Sequence, residues 1–163
     1  MRRTITGFHA AALGTALTLL GGCAALQGGA TATAKNDPAP GMNAKGEVID
    51  SALITAGSGR TVQGINDWEG EITGKPFAGS KFKELKIGMS AGQVKGKIGQ
   101  PTDEGAYITG KAFIPFYFGS DRTRYEYVYK GQGRLIFASG AGFSTAPGYL
   151  TWIIYNRGEK GYR

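Results

Sequence analysis

The stretch "GSKFKELKIGMSAGQVKGKIGQPTD", residues 79–103, carries the densest local structural signals in this 163-residue chain. Ser80 precedes Phe82 and Leu85. A serine oxygen at a helix start accepts from a backbone N–H that has no partner inside the helix. A first short helix is therefore expected from about residue 81, ended by Gly88, because glycine readily takes the left-handed backbone that terminates helices. Ser90 repeats the capping signal, and Gln93 three residues later completes a capping box. Met89 and Val94 stand at the spacing of a hydrophobic staple, and Val94 and Ile98 share one face four residues apart. Gly99 closes this second helix and Pro101 prevents its resumption. Gly92 and Gly96 each weaken it by about 1 kcal/mol relative to Ala. It therefore needs a surface to pack on.

That surface is expected downstream. From Arg122 to Lys130 the chain alternates, with Tyr125, Tyr127 and Tyr129 on one side and Arg124, Glu126, Val128 and Lys130 on the other. This period of two is that of a strand. Gly131-Gln132-Gly133 reads as a hairpin link, Arg134 to Ala138 as the returning strand, and Leu150 to Tyr155 as a third. Strands joined by short links form antiparallel sheets, here with one face under the helices. Between helices and sheet, residues 107–120 include "FIPFYFGS"; Pro115 argues against a central strand there. Phe113, Phe116, Tyr117 and Phe118 are the candidate partner-contact patch, with core packing as the competing reading.

Upstream, Arg2 and Arg3 precede an uncharged apolar stretch from Ala10 to Leu20, followed by small residues. This is the order of a secretory signal peptide, and the apolar run is too short to span a bilayer. Leu20-Gly21-Gly22-Cys23 resembles the lipobox of bacterial lipoproteins. The resemblance implies cleavage after Gly22, a diacylglyceryl group on the Cys23 thiol, and acylation of the new amino terminus. Acyl chains contribute about 0.8 kcal/mol per buried CH₂, so two or more hold a protein on a membrane. Ala24, where an Asp usually retains such proteins at the inner membrane, implies the outer membrane. Residues 1–22 are thus expected to be a signal peptide and 23–45, rich in Ala, Gly and Thr, a lipidated flexible tether. Residues 46–79 form an extension of undecided structure, and 80–163 the main domain.

Charge and composition narrow the chemistry. Cys23 is the only cysteine and His9 the only histidine, and His9 falls in the segment expected to be removed. That leaves no Cys–His pair, Ser–His–Asp triad or ordinary zinc site in the mature chain. No cofactor or metal is expected. The formal net charge of +7 suits anionic partners without forming a basic run. "GSGRTVQG", residues 57–64, lacks the Gly-Lys-Ser/Thr ending of a phosphate loop and reads as a plain loop. Asp67, Glu69 and Glu71 could hold a cation or serve a hydrolase only if they converge, and spacing alone does not bring them together. Trp68 reads as a packing anchor.

Leu85, Gly88, Met89, Ser90, Gln93, Val94, Gly99 and Pro101 together resemble the hallmark of the SmpA/OmlA (BamE-like) family of outer-membrane lipoproteins. The resemblance covers about residues 82–103, and its element order continues to Tyr155. It implies an α+β fold of two short helices packed on a three-stranded antiparallel sheet. It also implies a non-enzymatic lipoprotein on the periplasmic face of the outer membrane that binds envelope protein or lipid, with an accessory role in the outer-membrane β-barrel assembly complex. The alternative is an envelope-binding or inhibitor-like lipoprotein outside that machine, with peptidoglycan or a periplasmic protein as partner. Tyrosines interleaved with arginines can stack bases, but an exported chain meets no nucleic acid, and none is expected as a partner.

Overall fold

The structure, a computed structural model, describes residues 38–108, 123–139 and 146–163. They contain strands β1 (Arg60–Gln63), β2 (Glu69–Thr73), β3 (Asp103–Ile108), β4 (Thr123–Tyr129), β5 (Gly133–Ser139) and β6 (Pro147–Tyr155). One α-helix, α1 (Ala91–Ile98), and two 3₁₀ turns, Ser51–Leu53 and Lys81–Glu84, complete the regular structure. The expected signal peptide, Cys23 and the aromatic stretch around Phe113, Phe116, Tyr117 and Phe118 lie outside the described residues.

The expected fold class is corrected. The six strands form one mixed sheet in the order β1-β2-β6-β5-β4-β3, with β2 parallel to β6 and every other neighbouring pair antiparallel. It is not a three-stranded antiparallel sheet under two helices. The three strands read from the sequence are its β4, β5 and β6, and three more flank them.

Of the two expected helices, only the second forms. Ser90 Oγ accepts from the Gln93 amide at 3.3 Å while the Gln93 side chain accepts from the Ser90 amide at 2.9 Å, so the capping box is complete. The first is a single 3₁₀ turn. Ser80 does cap it, accepting from the Phe82 amide, but Leu85 is already extended. The reason lies in the burial of Leu85, Ile87 and Met89, which alternate inward at a period of two that a helix cannot serve. Gly88 has φ +88° and lies so close to the β1–β2 turn that an added Cβ would stand 2.5 Å from the Ile65 carbonyl oxygen. Its N–H donates to the Leu150 carbonyl at 2.8 Å, and the Leu150 N–H donates to Met89. The segment is thereby stitched to β6 as extended chain.

The sheet buries both faces. On one, Phe82, Leu85, Ile87, Val94 and Ile98 pack on Tyr127, Tyr129, Leu135, Phe137, Ile153 and Tyr155. Phe82 meets the rings of Tyr129 and Tyr155 at 5.6 and 5.9 Å, and the Tyr129 hydroxyl donates to the Gly99 carbonyl at 3.0 Å. On the other face Val48 and Ile54, with Met42 beside them, cover Ile136, Trp152 and Ile154. Residues 38–45, read from sequence as the end of a tether, belong to this cover: Met42 bridges Val48, and the Ile49 N–H donates to Gly41 at 2.8 Å.

Candidate functional site

A hollow at one end of the sheet follows from the parallel pairing of β2 with β6. Their register, Thr73 against Ile154, brings the chain leaving β2 beside the chain leaving β6. At that point Gly74 has φ +78°, and a Cβ there would lie 2.6 Å from the Tyr155 carbonyl oxygen and 3.0 Å from Val48. Glycine thus lets β2 turn out sharply into Lys75-Pro76-Phe77. On the β6 side, Asn156 holds the turn: its amide donates to Ser51 Oγ at 2.8 Å and its carbonyl oxygen accepts from the Gly158 N–H at 2.9 Å. Arg157 is thereby presented next to Phe77, with its guanidinium carbon 4.9 Å from the ring centroid. That distance is a cation–π contact.

The third wall comes from the covering segment. Asn43 Oδ1 accepts from the N–H groups of Lys45 and Glu47, each at 3.0 Å, and its amide donates to the Glu47 carboxylate at 2.8 Å. One side chain thus shapes the turn that sets Glu47, Val48 and Ile49 opposite Lys75 and Arg157. The resulting cleft has a volume of about 450 Å³ and is lined by these residues with Pro76, Phe77 and Tyr155. Its base is apolar and aromatic, and its rim is charged.

The Asn43 hydrogen bond holds the Glu47 carboxyl below its usual range; desolvation opposes it, and the charges of Lys45, Lys75 and Arg157 add to the lowering. Burial pushes the Tyr155 phenol up, and the nearby Arg60 charge pulls it back. Lys45, Lys75 and Arg157 make no ion pair among the described residues. The site can therefore take a group bearing negative charge next to an apolar or flat portion that lies on Phe77.

Of the acids singled out in the sequence, Glu69 and Glu71 line one hollow and Asp67 does not. Asp67 sits in the β1–β2 turn with φ +59°, next to Asn66 at +53°, the backbone that primed hairpin turns require. The Glu71 carboxylate accepts from the N–H groups of Gly57 at 2.8 Å and Gly59 at 2.6 Å and from the Thr73 hydroxyl at 3.1 Å. The amides of the glycine-rich loop are thus occupied by the chain's own carboxylate. Thr73 in turn accepts from the Trp152 indole at 2.9 Å. Glu69 and Glu71 both line a smaller hollow of about 310 Å³ with Thr61, Arg124, Thr151 and Trp152. Among the described residues no three His, Cys, Asp or Glu side chains converge as a metal site. Trp68 is the packing anchor expected, against Tyr149 at 4.9 Å.

Sequence reasoning missed Glu47, Lys75, Phe77, Tyr155 and Arg157 as a group. Nothing local marks them, because a long-range parallel strand pair assembles them. Searches against protein-family models, curated proteins and solved structures return no match to this chain.

Proposed function

We propose that the protein is a non-enzymatic lipoprotein, anchored through Cys23 to the periplasmic face of the outer membrane, whose cleft holds a component of the envelope. The cleft carries this reading. Its cations, which form no ion pair among the described residues, and its aromatic base are equipment for holding an anionic, partly apolar group. The basic start, the apolar stretch and Leu20-Gly21-Gly22-Cys23 supply the anchor. An accessory role in β-barrel assembly rested on the SmpA/OmlA resemblance. The six-stranded mixed sheet withdraws the fold argument for it, and the reading preferred is a binding module outside that machine.

Mass spectrometry of the amino-terminal peptide from isolated outer membranes tests the anchor. A Cys23 carrying acyl chains and preceded by nothing is expected; a free thiol, or recovery of the protein from the soluble periplasm, overturns it. Retention of the protein on delipidated cell wall and on envelope lipid, compared with the Lys75→Ala/Arg157→Ala double variant, tests the cleft. Equal retention of the two proteins on both materials would remove the cleft from the function.

A further inference from the structure

Ile49 and Leu53 are 66% and 55% exposed. They stand on the outer side of the segment whose Val48 and Ile54 point into the sheet. Both lie beside Gly41: the Ile49 N–H donates to its carbonyl, and a Cβ added there would stand 3.1 Å from Leu53. Large aliphatic side chains this open and rimmed by charge mark a surface that meets something apolar. Ile49 also lines the cleft, so the aliphatic pair continues into the Phe77 and Arg157 wall. Lys45 and Lys75 flank it. Its two acids are engaged within the chain: Glu47 with Asn43, and Asp50, whose carboxylate accepts from the Ala52 N–H at 3.0 Å.

The described chain begins at Pro38 and enters the fold on this same surface. Fourteen residues lie between Cys23 and Pro38, a reach of at most about 50 Å even when fully extended. The chain then enters the fold through Gly41, whose carbonyl accepts from the N–H groups of Ile49 at 2.8 Å and Asp50 at 3.1 Å. The chain that leads from Cys23 thus enters the fold hydrogen-bonded to the backbone of the exposed Ile49. On these grounds we infer that Ile49 and Leu53, with Lys45, Lys75 and Arg157 around them, dock the domain onto the anionic leaflet that holds its own lipid anchor. The aliphatic side chains enter the headgroup boundary while the cations meet headgroup phosphates, the combination by which peripheral segments bind membranes. The inference rests on the anchored reading above and adds a fixed orientation to it.

Acylation of Cys23 blocks the only native thiol, so a single introduced cysteine can be labelled in the full acylated chain. An environment-sensitive fluorophore is placed at Leu53→Cys or, as a control, at Gly96→Cys, where the helix faces open space. The proteins are reconstituted in vesicles of equimolar phosphatidylethanolamine and phosphatidylglycerol doped with nitroxide-bearing lipid. Strong quenching is expected at position 53 and little at 96. Ile49→Asp, or Lys75→Glu with Arg157→Glu, is expected to reduce the quenching at 53 severalfold while the protein still floats with the vesicles and keeps its circular dichroism. In vesicles of phosphatidylcholine alone the quenching should fall as well. Floating protein with equal quenching at 53 and 96 overturns the docking surface and leaves the anchor standing. Protein that does not float overturns both. Label self-quenching at 53 that grows with protein density, without nitroxide quenching, overturns it in favour of a second copy on this face.

Discussion

The guanidinium of Arg134 stands between two carboxylates. Its Nη1 lies 3.0 Å from Glu126 and its Nε 3.1 Å from Glu159, and the three side chains are 10%, 15% and 4% exposed. A buried cation of this kind adds little net stability over an apolar replacement, but removing it alone strands both acids. Arg134→Met is therefore expected to cost about 3–5 kcal/mol in urea denaturation. Arg134→Met combined with Glu126→Gln and Glu159→Gln should regain most of that loss. Recovery would identify the arginine as the partner its neighbours need rather than as a source of stability. The buried tyrosines give a second residue-level expectation. Burial pushes the phenols of Tyr127, Tyr129 and Tyr155 up from 10.0, with Lys95 partly opposing it at Tyr127 and Arg60 at Tyr155. The folded protein thus keeps these protons to higher pH than the unfolded chain does. This contribution to stability is complete below the unfolded value of about 10 and is lost as pH rises above it. Unfolding followed by circular dichroism should begin above that pH, with phenolate absorbance rising in the same step. Because Tyr107, Tyr149 and Tyr162 are exposed, the signal of the three buried rings is taken as the difference from a Tyr127→Phe/Tyr129→Phe/Tyr155→Phe variant; phenolate in that difference well before unfolding would show that the three rings are open to solvent.

The elements divide by how far their signals reach along the chain. Helix α1 is set by its own residues, and its capping box, its inward pair Val94 and Ile98 and its terminal Gly99 were all legible. Ser90→Ala is expected to lower stability by about 1 kcal/mol through loss of the cap. Gly96→Ala should raise stability by a similar amount, about 1 kcal/mol, because the new Cβ meets open space. Thermal melts check the pair, with shifts of a few degrees in opposite directions; a destabilising Gly96→Ala would mean that something covers this face of the helix. Strands β4, β5 and β6 were legible too: β4 alternates tyrosines with Arg124, Glu126 and Val128, and β5 and β6 are short, largely apolar runs bounded by turn residues. The 81–89 segment was misread because Ser80 and Gly88 imitate helix ends. Leu85, Ile87 and Met89 carried the period-two signal against it. Strands β1, β2 and β3 were illegible for another reason. Arg-Thr-Val-Gln, Glu-Gly-Glu-Ile-Thr and Asp-Glu-Gly-Ala-Tyr-Ile are polar or glycine-interrupted and mostly open to solvent, so hydrophobic periodicity does not reveal them. The cleft shared that fate, since it exists only once β2 lies parallel to β6.

At the scale of the molecule, the sheet depends on its second cover. The α1 side presents a core that could hold by itself, but Ile136, Trp152 and Ile154 point the other way and are only 2%, 6% and 2% exposed. What shields them is the segment from Met42 to Ile54, which is also tied down by the Ser51–Asn156 bond. A chain beginning at Pro38 keeps every one of these contacts, whereas a chain beginning at Thr55 loses them all. Burying an aliphatic side chain is worth about 1.5–3 kcal/mol. Losing Val48 and Ile54 while uncovering three partners therefore amounts to most or all of the roughly 5–15 kcal/mol that holds a domain folded. The chain from Pro38 is expected to unfold cooperatively, with the same urea midpoint as the longer protein. The chain from Thr55 should bind a hydrophobic dye strongly, lose its sharp transition and aggregate. A Thr55 chain with a native midpoint would show that the α1 face alone specifies the fold. It would also detach the covering segment, and with it the cleft and the exposed Ile49 and Leu53, from the requirements of folding. Those residues would then be free to serve binding alone.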